Sequence, residues 1–137
     1  MTEIRQRVDH KALALFRYEL RKFLAFSESE AAAANLTGAQ HQALLAIRGL
    51  SENGHMSIGQ LAEVLLLRPH SAVELVDRLC KLGLVERAHD PDDGRRVLVR
   101  LTPEADKKLH TLSAAHAKEL SAIAPALMDA LRDFNET

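Results

Sequence analysis

The chain has 137 residues, of which 47% are hydrophobic and 27% charged, and its formal net charge at pH 7 is −1. That length suits one domain with a buried core, and no apolar run reaches the roughly 18 residues of a membrane-spanning helix. Because the N-terminus lacks a signal peptide's apolar region and the single cysteine, Cys80, allows no internal disulfide, we expect a cytoplasmic protein without a membrane partner.

The first quarter of the chain predicts one long helix, from Val8 to about Ala34. Its apolar residues recur at alternating spacings of three and four, which is typical of a helix-packing seam. Asn35 suits the end of this helix. The seam consists of Leu13, Phe16, Leu20, Phe23 and Ser27.

A second helix is predicted next, and its start is the better defined end. Thr37 followed by Gln40 is a capping box, in which each residue satisfies a backbone N–H of the other. The helix should continue to about Leu50, with Leu44, Ile47 and Leu50 on its inward side. A short polar loop follows it.

Two short helices come after this loop. Ser57 and Gln60 form another capping box, which begins the first of them. Arg68-Pro69 separates the two, because proline is tolerated in the first turn of a helix, and Gly83 ends the second. The expected inward residues are Ile58, Leu61, Ala62 and Leu65 in the first helix, and Ala72, Leu75, Val76, Leu79 and Leu82 in the second.

A β-hairpin with a charged tip is predicted behind these helices. Two β-prone runs, residues 84–87 and 97–101, flank residues 90–94, whose sequence Asp-Pro-Asp-Asp-Gly is typical of a turn. Two short helices followed by such a hairpin predict a winged helix-turn-helix. We therefore hypothesise sequence-specific binding to double-stranded DNA.

The chain ends in another long predicted helix. Thr102 is its N-cap and Pro103 its first-turn proline, whereas Pro125 should kink or split it near Ala122. Its apolar residues are Leu109, Leu112, Leu120, Ile123, Leu127, Leu131 and Phe134.

The predicted fold class is mainly α with a small β-hairpin wing, in a single domain over residues 1–137. Residues 37–102 should form a winged-helix lobe that buries its own core, so the helices of residues 1–36 and 103–137 lack a partner. We expect these helices to form a homodimer, although they could instead fold back on their own domain. A dimer would place two recognition helices in successive major grooves, about 34–36 Å apart, and so read a near-palindromic operator.

Five short motifs stand in a characteristic order along the chain. They are Leu36-Thr37 with Gln40, Leu61-Ala62-Glu63, Leu75-Val76-Asp77-Arg78-Leu79, Gly83-Leu84-Val85-Glu86-Arg87, and Asp93-x-Arg95 before Leu101-Thr102. In this order and spacing the chain resembles the MarR-type regulators of bacteria and archaea over nearly its whole length. The resemblance implies a homodimeric winged-helix repressor that a small molecule or an oxidant releases from DNA. Two positions depart from it, because Leu66 and Ala105 stand where such motifs often have glycine.

Candidate DNA contacts follow from position in the second short helix. Four residues lie near the N-terminus of this helix and away from its apolar side, and we expect them to meet base edges. They are His70, Ser71, Val73 and Glu74. Val73 suits a thymine methyl group, and Glu74 suits the amino group of cytosine. Arg68, Arg78 and Lys81 are better placed for phosphates, with a solvated surface charge as the alternative.

The hairpin supplies three further candidates. The resemblance implies that Asp93 braces the hairpin and that Arg95 enters the minor groove, whose negative potential favours a guanidinium group. Arg96 is the neighbouring candidate for a phosphate contact.

Charge is the main argument against this hypothesis. Residues 68–100 contain seven Lys/Arg and six Asp/Glu, so a positive surface must come from geometry. Glu74 would be repelled by phosphates, and with Ser71 it could instead form a capping box that begins the helix three residues later. The rival function is therefore a winged-helix protein-interaction module without DNA binding. Salt discriminates, because affinity for DNA falls steeply as salt rises.

The first helix contains four of the five aromatic residues: Phe16, Tyr18, Phe23 and Phe26. Tyr18 and Phe26 lie off the seam, near Arg17 and Arg21. The resemblance implies a small aromatic or lipophilic effector in a cleft beside this helix, where an arginine would pair with a carboxylate. Plain packing is the alternative.

Other chemistry is not predicted. Cys80 is expected to be an inert buried thiol. His110 and His116 are six residues apart and so lie on different sides of a helix, and we expect no metal and no cofactor. With no phosphate-binding glycine loop and no nucleophile motif, we expect no enzyme.

Overall fold

The computed structural model of the chain describes residues 9–132 and Phe134. These residues form five helices and three short strands, in the order α1 (His10–Ala33), α2 (Gly38–Leu50), β1 (Met56–Ser57), α3 (Ile58–Val64), α4 (Pro69–Lys81), β2 (Val85–His89), β3 (Val97–Leu101) and α5 (Pro103–Arg132). No described helix is long and apolar enough to cross a membrane. The predicted start of the first helix, Val8, lies outside the described residues.

The contacts divide the chain into two units. One comprises residues 28–114, and the other comprises the residues up to Ser27 and from Ala115 onward. The predicted fold class, mainly α with a small β wing, is confirmed by this set of elements. The predicted lobe boundaries at residues 36/37 and 102/103 stay a prediction.

Both predicted capping boxes are present. The Thr37 hydroxyl accepts a hydrogen bond from the Gln40 N–H at 3.1 Å, and the Gln40 side chain accepts one from the Thr37 N–H at 3.0 Å. Ser57 and Gln60 exchange the same pair of bonds, both at 3.1 Å. The starts of α2 and α3 were therefore predicted correctly, because these residues satisfy N–H groups that the helix itself leaves unpaired.

Left-handed residues follow three of the helices. Asn35 (φ 60°) comes after α1 and Gly83 (φ 72°) after α4, which confirms both predicted ends. Leu66 (φ 56°) comes after α3, where Leu67 N–H donates to the Ala62 carbonyl at 2.8 Å. Glycine and asparagine adopt this conformation readily, whereas a leucine does so at a cost of about 1–2 kcal/mol.

The core of residues 28–114 lies between α2, α3, α4, the sheet and the first turns of α5. Its largest fully buried side chains are Leu44, Ile47, Leu61, Val76, Leu79 and Val99. Two predicted inward residues are wrong: Leu50 is 67% exposed and Leu82 is 53% exposed. Leu50 is the last residue of α2 and Leu82 is the C-cap of α4. Both therefore lie at a helix end, beyond the buried residues of the helix.

The sheet has the strand order β1-β3-β2 with both pairs antiparallel. In the hairpin, Val85 pairs with Leu101 and His89 with Val97. Strand β1 was not predicted, because two residues are too few to show an alternating pattern. It continues directly into α3, whose N-cap is Ser57.

The second unit contains the first part of α1 and the last part of α5. Ala12 and Ala130 are buried in it, and so is His116, whose Nε2 lies 2.8 Å from the Ser27 hydroxyl. Helix α5 runs unbroken through Pro125, so the predicted split near Ala122 is wrong, and the alternative of a kink stays a prediction.

Candidate nucleic-acid interface

Helix α4 buries one side and exposes the other. Its buried residues are Ala72, Val76 and Leu79, and the side chains of His70, Val73, Glu74 and Arg78 are exposed, with Ser71 half-buried. Arg68, at the N-cap, and Lys81, the last residue of the helix, are also exposed. All the residues predicted to face DNA from this helix thus remain accessible.

The start of α4 decides between the two interpretations of Glu74. The helix begins at Pro69 after the N-cap Arg68, and the Ser71 N–H donates to the Arg68 carbonyl at 3.0 Å. Ser71 is therefore already inside the first turn, and the alternative capping box with Glu74 is wrong. Within the described residues the Glu74 carboxylate takes part in no ion pair, so it faces solvent as an unneutralised charge.

Two ion pairs join charged side chains of residues 68–100. Arg87 on β2 pairs with Asp77 on α4, and Arg100 pairs with Glu86 at 3.2 Å across the hairpin. These two pairs neutralise charges that lie on the flanks of the motif. The basic residues of the segment that form no ion pair within the described part of the chain are Arg68, Arg78, Lys81, Arg95 and Arg96. The carboxylates that also form no ion pair there are those of Glu74, Asp90, Asp92 and Asp93. An excess of positive charge therefore lies on α4 with its N-cap, whereas the hairpin tip carries two arginines beside three carboxylates.

The hairpin tip is held by its own backbone. Asp90 N–H donates to the Arg96 carbonyl and Arg96 N–H to the Asp93 carbonyl, both at 2.9 Å. The Asp93 carboxylate accepts a hydrogen bond from the Arg95 N–H at 3.1 Å. Asp93 thus fixes the turn that carries Arg95, whose side chain is exposed.

Two further contacts between the hairpin and the helices were, like the Arg87–Asp77 pair, missed by the sequence prediction. The Arg96 guanidinium donates to the Ser57 hydroxyl at 3.3 Å, so this arginine reaches back to the N-cap of α3. The Arg87 guanidinium lies 3.5 Å from the Cys80 sulfur. Cys80 is half-buried and packs against the core, so the expectation of a buried thiol is confirmed in part. No sequence signal links Ser57 with a residue 39 positions later.

The predicted effector residues are not gathered into a cavity. Arg17, Tyr18 and Arg21 are exposed on α1, and Phe26 is half-buried, with its ring centroid 5.3 Å from that of His116 in an edge-on contact. None of these four residues lines any of five cavities found in the described part of the chain. In the part of the chain that the structure describes, no group of His, Cys, Asp and Glu side chains could hold a metal ion.

A helix-turn-helix whose second helix exposes a cationic side, followed by a hairpin with an arginine at its tip, defines a winged-helix protein of the DNA-binding class. Comparison with known proteins agrees. The chain matches the MarR family over residues 34–96. It is 35% identical over 134 residues to the HTH-type transcriptional regulator YcgE of Bacillus subtilis, a match that covers 96% of this chain and 79% of YcgE.

The chain belongs to the MarR family of transcriptional regulators. A shorter match, 39% identical over 61 residues, joins 44% of the chain to 42% of YsmB, another HTH-type regulator of Bacillus subtilis. The fold is also that of a mutant of MarR from E. coli crystallised with operator DNA, with a TM-score of 0.68 and 22% identity over 93% of this chain and 95% of that one.

Proposed function

We propose that this regulator binds a near-palindromic DNA duplex as a homodimer and represses transcription there. The observation that carries the proposal is the exposed side of α4 together with the unpaired cations of α4 and the hairpin tip. The E. coli MarR mutant of similar fold is complexed with operator DNA, which supports the same role here. The proposal includes no catalytic step and no cofactor, and it places the protein in the cytoplasm, where Cys80 stays reduced.

Each candidate residue receives a role from its position. The residues near the start of α4 face base edges, while Arg68, Arg78 and Lys81 face phosphates. Arg95 enters the minor groove from a turn that Asp93 holds. Arg96 contacts a phosphate, and one of its guanidinium nitrogens also donates a hydrogen bond to the Ser57 hydroxyl.

The homodimer is supported by the apolar side chains that the terminal helices expose. A monomer rarely leaves so many apolar residues in water, and a second copy of the same chain covers them with like residues. They are Leu13, Leu15, Leu20, Leu24, Leu120, Met128, Leu131 and Phe134, all between 37% and 65% exposed.

Multi-angle light scattering tests the dimer. We expect a dimer for the unmodified chain and a monomer or aggregate for the double variant Leu24→Glu, Met128→Glu, because two charges would then be buried without partners. Leu50→Glu is the matched control, since Leu50 is an exposed leucine of α2 outside these helices. A monomeric unmodified chain at micromolar concentration would contradict the proposal.

Selection from a pool of random duplexes tests the DNA target. We expect an enriched sequence with two-fold symmetry and half-sites about one helical turn, roughly 10 base pairs, apart. A single half-site should bind much more weakly than the full site. If no duplex is enriched while the protein is folded and dimeric, the protein-interaction module becomes the better account.

The proposed effector is a small aromatic acid or lipophilic molecule bound beside α1. Arg17 and Arg21 are one helical turn apart, exposed and in no ion pair among the described residues, which suits a carboxylate. The Lys22 ammonium lies 4.7 Å from the centroid of the Tyr18 ring, so an aromatic ring and positive charges lie close together on α1. Benzoate is the probe: it should weaken DNA binding of the unmodified dimer, and Arg17→Gln, Arg21→Gln should remove that response.

A further inference from the structure

The turn between α3 and α4 exposes a leucine. Leu66 is 92% exposed, the highest value among the large hydrophobic residues of the described chain. Scattered leucines at the surface are common, and exposure alone does not indicate a partner, but at this exposure the side chain lies almost wholly in solvent. The Leu66 side chain therefore contributes almost nothing to the core.

The backbone of Leu66 adds a second peculiarity. Its φ of 56° lies in the left-handed region, which a side chain with a Cβ adopts at an energetic cost and glycine adopts freely. The two hydrogen bonds of the turn, Leu66 N–H to Glu63 carbonyl at 3.2 Å and Leu67 N–H to Ala62 carbonyl at 2.8 Å, use only main-chain atoms. A glycine would make both bonds, so neither hydrogen bond of the turn requires a leucine at this position.

The position of this turn in the helix-turn-helix indicates which molecule the Leu66 side chain contacts. In a DNA-bound helix-turn-helix, the first helix crosses the backbone and the second enters the major groove by its N-terminus. The turn between them then lies at the edge of the groove. Leu66 stands two residues before the N-cap of α4, Arg68.

We propose that Leu66 is a DNA-contacting residue that packs against apolar carbon atoms at the edge of the major groove. Two parts of DNA offer such atoms, the C5-methyl group of thymine and the carbons of deoxyribose. A thymine contact would contribute to sequence preference, whereas a sugar contact would add affinity alone. The inference rests on the proposed DNA binding.

Leu66→Asn and Leu66→Gly test the contact, because both residues tolerate a left-handed backbone. Binding is measured by fluorescence anisotropy on the best duplex from the selection. We expect each variant to bind about tenfold more weakly, as loss of a buried leucine contact implies, and to melt at or above the temperature of the unmodified protein. Leu50→Asn, which changes an exposed leucine on α2, should bind like the unmodified protein.

Duplexes in which single thymines are replaced by uracil separate the two sources. If one replacement per half-site weakens the unmodified protein and not Leu66→Asn, the contact is the thymine methyl group. If Leu66→Asn binds every duplex more weakly with unchanged base preference, the contact is with deoxyribose.

Equal affinities of the Leu66 variants and the unmodified protein would overturn the proposal and leave the turn to a protein partner. A lower melting temperature of both variants would also overturn it, because Leu66 would then stabilise the chain itself. Failure of the proposed DNA binding looks different, since no duplex would then be enriched for any protein.

Discussion

Glu74→Gln is the most informative single substitution on α4. The structure places the glutamate in the exposed part of the recognition helix, past a first turn that begins at Pro69. Since the carboxylate neither caps the helix nor joins an ion pair in the described chain, we expect the free energy of unfolding to change by less than about 0.5 kcal/mol. A change in the affinity of this variant for DNA would then reflect an altered contact with DNA and not an altered stability of the fold.

We expect Glu74 to accept a hydrogen bond from the amino group of cytosine. Glutamine can accept the same bond but can also donate to other bases, so the preference at one base pair per half-site should relax by about 1–3 kcal/mol. The preferred duplexes of both proteins are obtained by selection, and their affinities are measured at several salt concentrations. Glu63→Gln is a suitable control, because Glu63 is exposed on α3.

One result would refute this reasoning. If Glu74→Gln kept the base preference and strengthened binding to all duplexes with an altered salt dependence, the carboxylate would only repel phosphates. Identical preference together with identical affinity would leave Glu74 without a role on DNA.

Three further substitutions probe the wing, the helix cap and the core. Arg95→Ala should weaken DNA binding by about 1–3 kcal/mol at ~0.15 M salt with an unchanged circular dichroism spectrum, because Arg95 is exposed, and wild-type affinity would rule out its place in the minor groove. Ser57→Ala should lower the free energy of unfolding by about 0.5–2 kcal/mol in urea denaturation, since it removes the cap of α3 and the acceptor for Arg96, and a neutral effect would show that neither bond stabilises the fold. Leu61→Ala should cost about 2–5 kcal/mol in the same assay, because Leu61 is fully buried, and a loss below about 1 kcal/mol would contradict the packing of α3.

The parts of the fold that could be predicted are those with local causes. Thr37 with Gln40 and Ser57 with Gln60 identify helix starts because the stabilising bonds join residues three apart. Gly83 identifies an end because its conformation is left-handed. These signals do not depend on the rest of the chain.

The parts that could not be predicted depend on residues far apart in sequence. Strand β1 exists through its pairing with Val99, which lies 43 positions after Met56. The Arg96–Ser57 contact depends on the same pairing, and a charged residue in a turn gives no indication of such a partner. The effector site was the weakest prediction, because exposed arginines and aromatic residues on α1 do not specify what covers them.

The most direct test of the central claim is the salt dependence of binding to the best selected duplex. Five cations of the chain, free of ion pairs within its described residues, lie on α4 with its N-cap and on the hairpin tip, so the proposed dimer can neutralise up to about ten phosphates. A plot of the logarithm of the binding constant against the logarithm of salt concentration should therefore be linear, with a slope between about −4 and −9. A slope near zero, or no duplex bound above background at low salt, would contradict DNA binding through this surface.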